Sequence, residues 1–177
     1  MPQSTPANGS FEELAMPLFS RLYNLACWLA RDHPAAEDLV QETYMKALRG
    51  FSSFQPGTNF RAWIYRILRN TFLTSQAGLD APLSLDDADE PVPEPAELRT
   101  PESILLLRAK QDQVRRALES LPVPAREIIL LSDFEEMSYS EIGQALGIPL
   151  GTVMSRLSRA RKAMRALLAA QMEGAKR

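Results

Sequence analysis

The chain has 177 residues, 45% of them hydrophobic and 24% charged, with 20 Lys/Arg set against 22 Asp/Glu. That is a globular composition with room for one medium domain or two small ones, and it excludes collagen-like and disordered classes. No run reaches the roughly 18 uninterrupted apolar residues of a membrane span, and the start MPQSTPANGSFEE lacks the basic and apolar regions of a signal peptide, so a cytoplasmic protein is expected.

A single cysteine, Cys27, excludes an internal disulfide and a multi-cysteine zinc site, and reads as a small buried apolar residue on a helix. His33, just before Pro34, reads as a capping residue at a helix start. The net charge of −2 conceals a partition along the chain. Residues 1–78 hold seven Lys/Arg and six Asp/Glu, residues 79–100 hold one and seven, and residues 101–177 hold twelve and nine.

The first block reads as helices only, from apolar spacing at i, i+3, i+4 and i+7. Leu14, Leu18, Leu22, Leu25 and Leu29 form one stripe, in which Pro17 forces a late start or a kink. Ala36, Leu39, Val40, Thr43, Ala47 and Phe51 form the next, leaving Asp38, Gln41, Glu42, Met45 and Arg49 as an exposed stripe. Pro56-Gly57 then makes a turn, and Asn59 or Thr58 caps a third helix. Its expected core side is Phe60, Trp63, Ile64, Ile67 and Thr71, with Ala62, Tyr65, Arg66 and Arg69 projecting the other way. Arginines interleaved with an aromatic beside a polar loop suit unpaired bases, by stacking and charge. The same residues also fit simple aromatic packing with a soluble basic face.

Residues 79–100, LDAPLSLDDADEPVPEPAELRT, carry four prolines among seven acids and cannot form a helix or central strand. They read as a flexible tether, with a reach of about 70 to 80 Å fully extended and nearer 25 Å as a coil.

Beyond the tether, Ile104, Leu107, Val114, Leu118 and Leu121 mark a helix stopped by Pro122-Val123-Pro124. Three more follow over Ala125–Phe134, Ser140–Leu146 and Thr152 to about Ala170. Gly147 supplies a left-handed turn, Thr152 caps the last helix, and small Gly143 lets two helices approach over Ile142, Leu146, Ile148 and Val153, giving helix-turn-helix spacing. At about 100° per residue, Val153, Leu157, Ala160, Met164, Leu167 and Leu168 share one side of the last helix. Ser155, Ser158, Arg159 and Lys162 take the other, with Met154 and Arg165 at an edge. Arg156 and Arg161 sit near the core boundary, where long side chains either reach toward phosphate or pack their stems. A major-groove reader of this geometry brings Met154, Ser155 and Arg159 to base edges and Lys162 and Arg165 to the backbone.

AEDLVQETYMKAL, NFRAWIYRILRNTF and MSYSEIGQALGIPLGTVMSRLSRARKAM, in this order across an acidic linker, resemble bacterial RNA polymerase sigma factors of the extracytoplasmic-function class. In PGTNFRAWIYRI and PLGTVMSRL the chain looks most like the thiol-oxidative-stress subgroup. The resemblance implies an all-α fold of two small helical domains, 11–78 and 101–172, joined by the acidic Pro-rich linker 79–100, the second containing the helix-turn-helix. It implies docking on core RNA polymerase through Asp38, Gln41, Glu42 and Met45. It implies recognition and melting of a minus-10 element through Thr58, Asn59, Phe60, Arg61, Tyr65, Arg66, Arg69 and Asn70. The minus-35 element would be read through Thr152, Met154, Ser155, Arg156, Arg159 and Lys162. Many family members are basic where this chain has Met154, which shifts base reading to Ser155 and Arg159. An anti-sigma factor is the implied inhibitor and, with only Cys27 here, the implied seat of any redox sensing.

Partners are therefore core polymerase, promoter DNA as duplex and melted strand, and an anti-sigma factor, with a monomer expected when the chain is free. No cofactor or metal site is expected. No carboxylate pair, Cys/His arrangement or phosphate-binding glycine loop supports an enzyme. The other reading of the residues is a free-standing helix-turn-helix regulator that binds operators as a dimer.

Overall fold

The computed structural model describes residues 9–77 and 101–174, with the side chains of 101–109 outside the description. Every regular element among the described residues is helical. None of these helices is long and apolar enough to cross a membrane. Contacts divide the chain into two compact units: one contains the described residues 9–77 with 131–150, the other 101–130 with 151–174. The expected tether 79–100 lies outside the described residues.

In the first unit, α1 (Phe11–Ala15) opens with a capping box, Ser10 Oγ accepting from Glu13 N–H and Glu13 accepting from Ser10 N–H. Pro17 does not kink a continuous helix. It sits in a 3₁₀ turn, Met16–Leu18, after which α2 (Phe19–Ala30) starts afresh. The Ala15 carbonyl beside this break accepts the Tyr44 hydroxyl at 2.7 Å. Helix α2 ends at Arg31, a non-glycine residue in the left-handed region (φ 58°).

Helix α3 (His33–Gly50) is capped by Asp32, whose carboxylate accepts from Ala35 N–H at 3.0 Å. The residue before His33 therefore performs the role expected of it, because Asp is the stronger acceptor and Pro34 needs no donor in the first turn. The His33 ring instead turns back to α2, with Nδ1 3.4 Å from the Tyr23 hydroxyl and 3.8 Å from Cys27 Sγ. Cys27 is half-exposed rather than buried. The apolar stripe of α3 lies in the core as expected: Ala36, Leu39, Val40, Thr43 and Ala47 are buried, and the Thr43 hydroxyl donates to the Leu39 carbonyl. Helix α4 (Phe60–Gln76) packs on α2 and α3.

The same unit holds α7 (Tyr139–Leu146), which packs on α4. Ser138 and Glu141 form a second capping box, and Gly147 ends the helix at φ 66°, the left-handed turn expected of it.

In the second unit the backbone of α5 (Pro101–Ser120) is helical; the expected core positions Ile104 and Leu107 lie outside the described side chains. Val114 is half-buried, and Leu118 and Leu121 are buried. The helix stops at Leu121-Pro122, and α6 (Val123–Ile129) starts at once because Pro124 fits a first turn. Arg126 of α6 is only 1% exposed. Its guanidinium donates to the carbonyls of Leu118, Glu119 and Leu121 where α5 ends, adding to the bond that Leu118 already accepts from Leu121 N–H. Where one helix was expected over 125–134, α6 widens into a π-helical turn at Leu130–Phe134. Helix α8 (Leu150–Gly174) begins two residues before Thr152, so Thr152 lies within the helix rather than capping it. Pro149 explains the start: it ends the preceding turn and leaves Leu150 as a free first residue.

Candidate nucleic-acid and protein interfaces

The loop before α4 is built around Pro56-Gly57. Gly57 has φ 81°, and Thr58 N–H and Oγ donate to the Gln55 carbonyl at 3.2 and 2.6 Å, closing a turn that requires glycine at its third position. Of the two expected caps, Asn59 is the one used: its Oδ1 accepts from Ala62 N–H at 3.0 Å. Phe54, Phe60 and Trp63 meet at centroid distances of 5.2 to 5.4 Å, and Phe11 and Phe51 join the cluster. Phe60 is thereby buried at 8% exposure and is a mounting for the loop, not an exposed stacking surface.

The expected two-sided pattern of α4 is corrected in part. Phe60, Ile64 and Thr71 are buried, but so are Ala62, Tyr65, Leu68 and Phe72, while Trp63 and Ile67 are only half-buried. A wheel with one apolar stripe assumed one packed face, whereas residues 131–150 cover a second. Arg66 and Asn70 are exposed, Thr58 is exposed, and Arg69 is half-exposed.

Glu135, which the sequence reading did not single out, organises that second face. Its carboxylate accepts from the Tyr65 hydroxyl at 2.7 Å and lies 3.5 Å from Arg21 and 3.6 Å from Arg61. Its backbone carbonyl also accepts from Arg61. Burial, followed by the Glu135 hydrogen bond and charge, pushes the Tyr65 phenol far above its usual range despite both arginines. Asn59 Nδ2 donates to Glu141 at 2.7 Å, so one amide caps α4 and ties it to α7. The Glu141 carboxyl is held below its ordinary value of 4.5, chiefly by the Ser138 backbone N–H, with the Asn59 and Ser138 side chains and Arg61 adding to the effect against desolvation. The only sequence signal for this site was the acidic pair Glu135-Glu136 between two apolar stretches. Glu136 takes φ 52°, turning the chain toward α7.

The expected docking stripe lies on the solvent side of α3. Asp38, Gln41 and Met45 are exposed, while Glu42 is half-exposed and pairs with Lys46 at 3.4 Å. Beside it a groove of about 560 Å³ runs between α2 and α3, lined by Phe19, Tyr23, Val40, Tyr44 and Met45. Exposed methionine and phenylalanine next to carboxylates suit a protein partner that supplies apolar and basic side chains.

Helix α8 follows the expected wheel. Val153, Leu157 and Ala160 are buried; Met164, Leu167 and Leu168 are half-buried. Met154 is 53% exposed, Ser155 and Lys162 are exposed, and Thr152, Arg156 and Arg159 are half-exposed. Ser155 Oγ bonds the Thr152 carbonyl and Arg159 Nε the Ser155 carbonyl, which aligns both side chains along the helix.

The chain matches Sigma-70 region 2 over residues 14–77 and Sigma-70 region 4 over residues 111–164. It is 39% identical to the ECF RNA polymerase sigma factor SigE of Mycolicibacterium smegmatis across 90% of this chain, and spans 62% of that protein's length. It is 32% identical to the ECF RNA polymerase sigma factor EcfG of Rhodopseudomonas palustris, covering 92% of this chain and 87% of that one. With the ECF RNA polymerase sigma-E factor of Escherichia coli it shares 36% identity over 80% of this chain and 79% of that one. Among solved structures it is similar to the sigma factor RpoE of Bartonella quintana, crystallised with the anti-sigma factor NepR. The TM-score there is 0.66 at 30% identity, over 90% of this chain and 96% of that one. CnrH in complex with the cytosolic domain of CnrY gives 0.65 at 25% identity, over 90% and 88%. Both halves of the described structure thus carry a sigma-factor region, and the chain belongs to the ECF RNA polymerase sigma factors.

Proposed function

We propose that this chain is an alternative sigma factor that binds core RNA polymerase and directs initiation at a specific set of promoters. Residues 11–78 dock on the polymerase and open the minus-10 element, and residues 101–172, across the acidic stretch 79–100, read the minus-35 element. Asp38, Gln41, Glu42 and Met45 form the docking stripe. Thr58, Asn59, Arg61, Tyr65, Arg66, Arg69 and Asn70 form the melted-strand face, mounted on Phe60. Ser155 and Arg159 read base edges, with Met154 alongside and Thr152, Arg156 and Lys162 contacting the backbone.

The observation that carries this reading is the α3 stripe: a helix fully buried on one side presents Asp38, Gln41 and Met45 to solvent beside an apolar groove. The match to Sigma-70 region 2 over 14–77 occupies the block that a free-standing dimeric regulator would need for sensing or dimerisation, so that alternative is not favoured. The chain acts as a cytoplasmic, non-enzymatic subunit and is held inactive by an anti-sigma factor. The wording of PGTNFRAWIYRI and PLGTVMSRL supports membership of the thiol-oxidative-stress subgroup, with the redox sensor in the inhibitor.

Run-off transcription with core polymerase tests the assignment: the chain should confer initiation at discrete start sites. Asp38→Lys should weaken core binding at least tenfold while leaving thermal unfolding unchanged. Unaltered core affinity in that variant would sink the docking assignment, and tight operator binding by a dimer without polymerase would sink the whole reading.

A further inference from the structure

We propose that the segment from Phe134 to Gly147 is a built-in mask over the strand-binding face of α4, an acidic occupant that uses the groups a melted DNA strand would need. The proposal rests on the assignment of that face to the minus-10 strand.

Both sides of the contact lie within the first compact unit. Three of the candidate strand residues spend a donor on the segment. Asn59 gives its amide to Glu141 at 2.7 Å, Tyr65 its hydroxyl to Glu135 at 2.7 Å, and Arg61 its guanidinium to the Glu135 carbonyl and carboxylate. At the other end of the segment the Arg66 guanidinium lies 3.6 Å from where a Cβ would stand on Gly147. That is ordinary van der Waals contact, so the segment's far end lies against the Arg66 guanidinium, while the φ of 66° is what favours glycine there.

The chemistry is that of a substitute. A carboxylate presents anionic acceptor oxygens, as a phosphate does, and Glu135 draws Arg21, Arg61 and Tyr65 together as one phosphate of a bound strand would. With Glu135 8% exposed and Tyr65 1% exposed, no strand reaches the Tyr65 hydroxyl or displaces the Glu135 carboxylate while the segment is docked. Occupation is mutually exclusive, so strand and segment compete for one face, and the apparent strand affinity falls by the fraction of molecules that are open. Closure also leaves Arg61 Nε buried without a partner, a cost that opening relieves. The free subunit is thereby kept from binding single strands indiscriminately until polymerase or promoter draws the segment away.

The test uses the full chain. Glu135→Gln combined with Glu141→Gln removes both charges and keeps shape, and Gln still serves a capping box. Amide hydrogen exchange over 131–147 should become at least tenfold faster, with exchange in α3 unchanged. Affinity of the free chain for a short labelled single-stranded oligodeoxynucleotide should rise at least tenfold, and adding Arg66→Ala should cancel the gain. Should the double variant fold poorly, Arg21→Ala, exposed on α2 and not among the residues assigned to the strand, should give the same two changes in smaller measure. Unchanged exchange and affinity in either variant overturn the mask; if Arg66→Ala still lowers run-off transcription, the strand assignment survives that failure. Faster exchange with no Arg66-dependent gain, joined to normal transcription by Arg66→Ala, overturns the strand assignment itself.

Discussion

Asn59 offers the sharpest quantitative test of how α4 is built. Its Oδ1 accepts from Ala62 N–H at 3.0 Å and its Nδ2 donates to Glu141 at 2.7 Å. Removing an N-cap costs about 1 kcal/mol, within a range of roughly 0.5 to 2. An amide-to-carboxylate bond is worth about 1.5 kcal/mol, reduced here because Glu141 is partly exposed. Asn59→Ala should therefore destabilise the first unit by about 1.5 kcal/mol. Asn59→Ser keeps the capping oxygen but cannot reach Glu141, and should cost about 0.5 kcal/mol. The chain's two tryptophans, Trp28 and Trp63, both lie in the first unit, so fluorescence-monitored urea unfolding reports that unit. With a slope of about 2 kcal/mol per molar, the Ala variant's midpoint should fall by about 0.7 M at unchanged slope. An Ala variant within about 0.5 kcal/mol of the parent, or a Ser variant as unstable as Ala, would refute this account of the cap.

Other expectations follow from the same geometry. Arg126→Met removes the buried guanidinium from three carbonyls around the end of α5, of which Leu118 keeps its bond from Leu121 N–H, and should destabilise the second unit by about 2 kcal/mol, measured by hydrogen exchange in α6. Because the folded-state carboxyl of Glu141 is depressed below 4.5, its contribution is complete at neutral pH and is lost as pH falls through that depressed value. Glu141→Gln should flatten this acid limb in unfolding titrations between pH 7 and pH 3. Tyr65 is raised, so its contribution is present below about pH 10, where a free tyrosine ionises, and is lost above it; Tyr65→Phe should remove that alkaline limb. In holoenzyme binding assays, Lys162→Ala should weaken all promoters alike and lower the salt slope by about 1, whereas Ser155→Ala should change the preference among minus-35 sequences.

Much of the architecture was legible from the chain alone, because apolar spacing at helical period exposes which side of each helix is buried. Thr43 and Ala47 on α3, and Val153 and Leu157 on α8, sit where the period put them. The misreadings have two causes: a local signal outcompeted by a sequence neighbour, and a long-range contact that no local pattern carries. Asp32 outranks His33 as a cap, and Pro149 sets the start of α8 ahead of Thr152. Tyr65 was assigned outward because periodicity cannot reveal a second covering element brought in from 70 residues away. Glu135 was missed for the same reason, since acids at a turn ordinarily face water, and only tertiary proximity to Arg21 and Arg61 makes this one a hub. Gly147, by contrast, announced its left-handed turn locally, and the backbone agrees.

The ring cluster beneath the 54–59 loop has an evolutionary consequence. Phe54 and Phe60 anchor the two ends of the loop in aromatic packing, and Asn59 fixes the start of α4, while Gln55, Pro56, Gly57 and Thr58 all lie exposed. The mount and the exposed loop tip are therefore separable. If the proposed strand assignment holds, replacing Gln55 or Thr58 alters what is offered to a DNA strand without reopening the core, since neither side chain packs into it. New promoter preferences could thus arise by drift at a few surface positions, with the scaffold that holds them already in place.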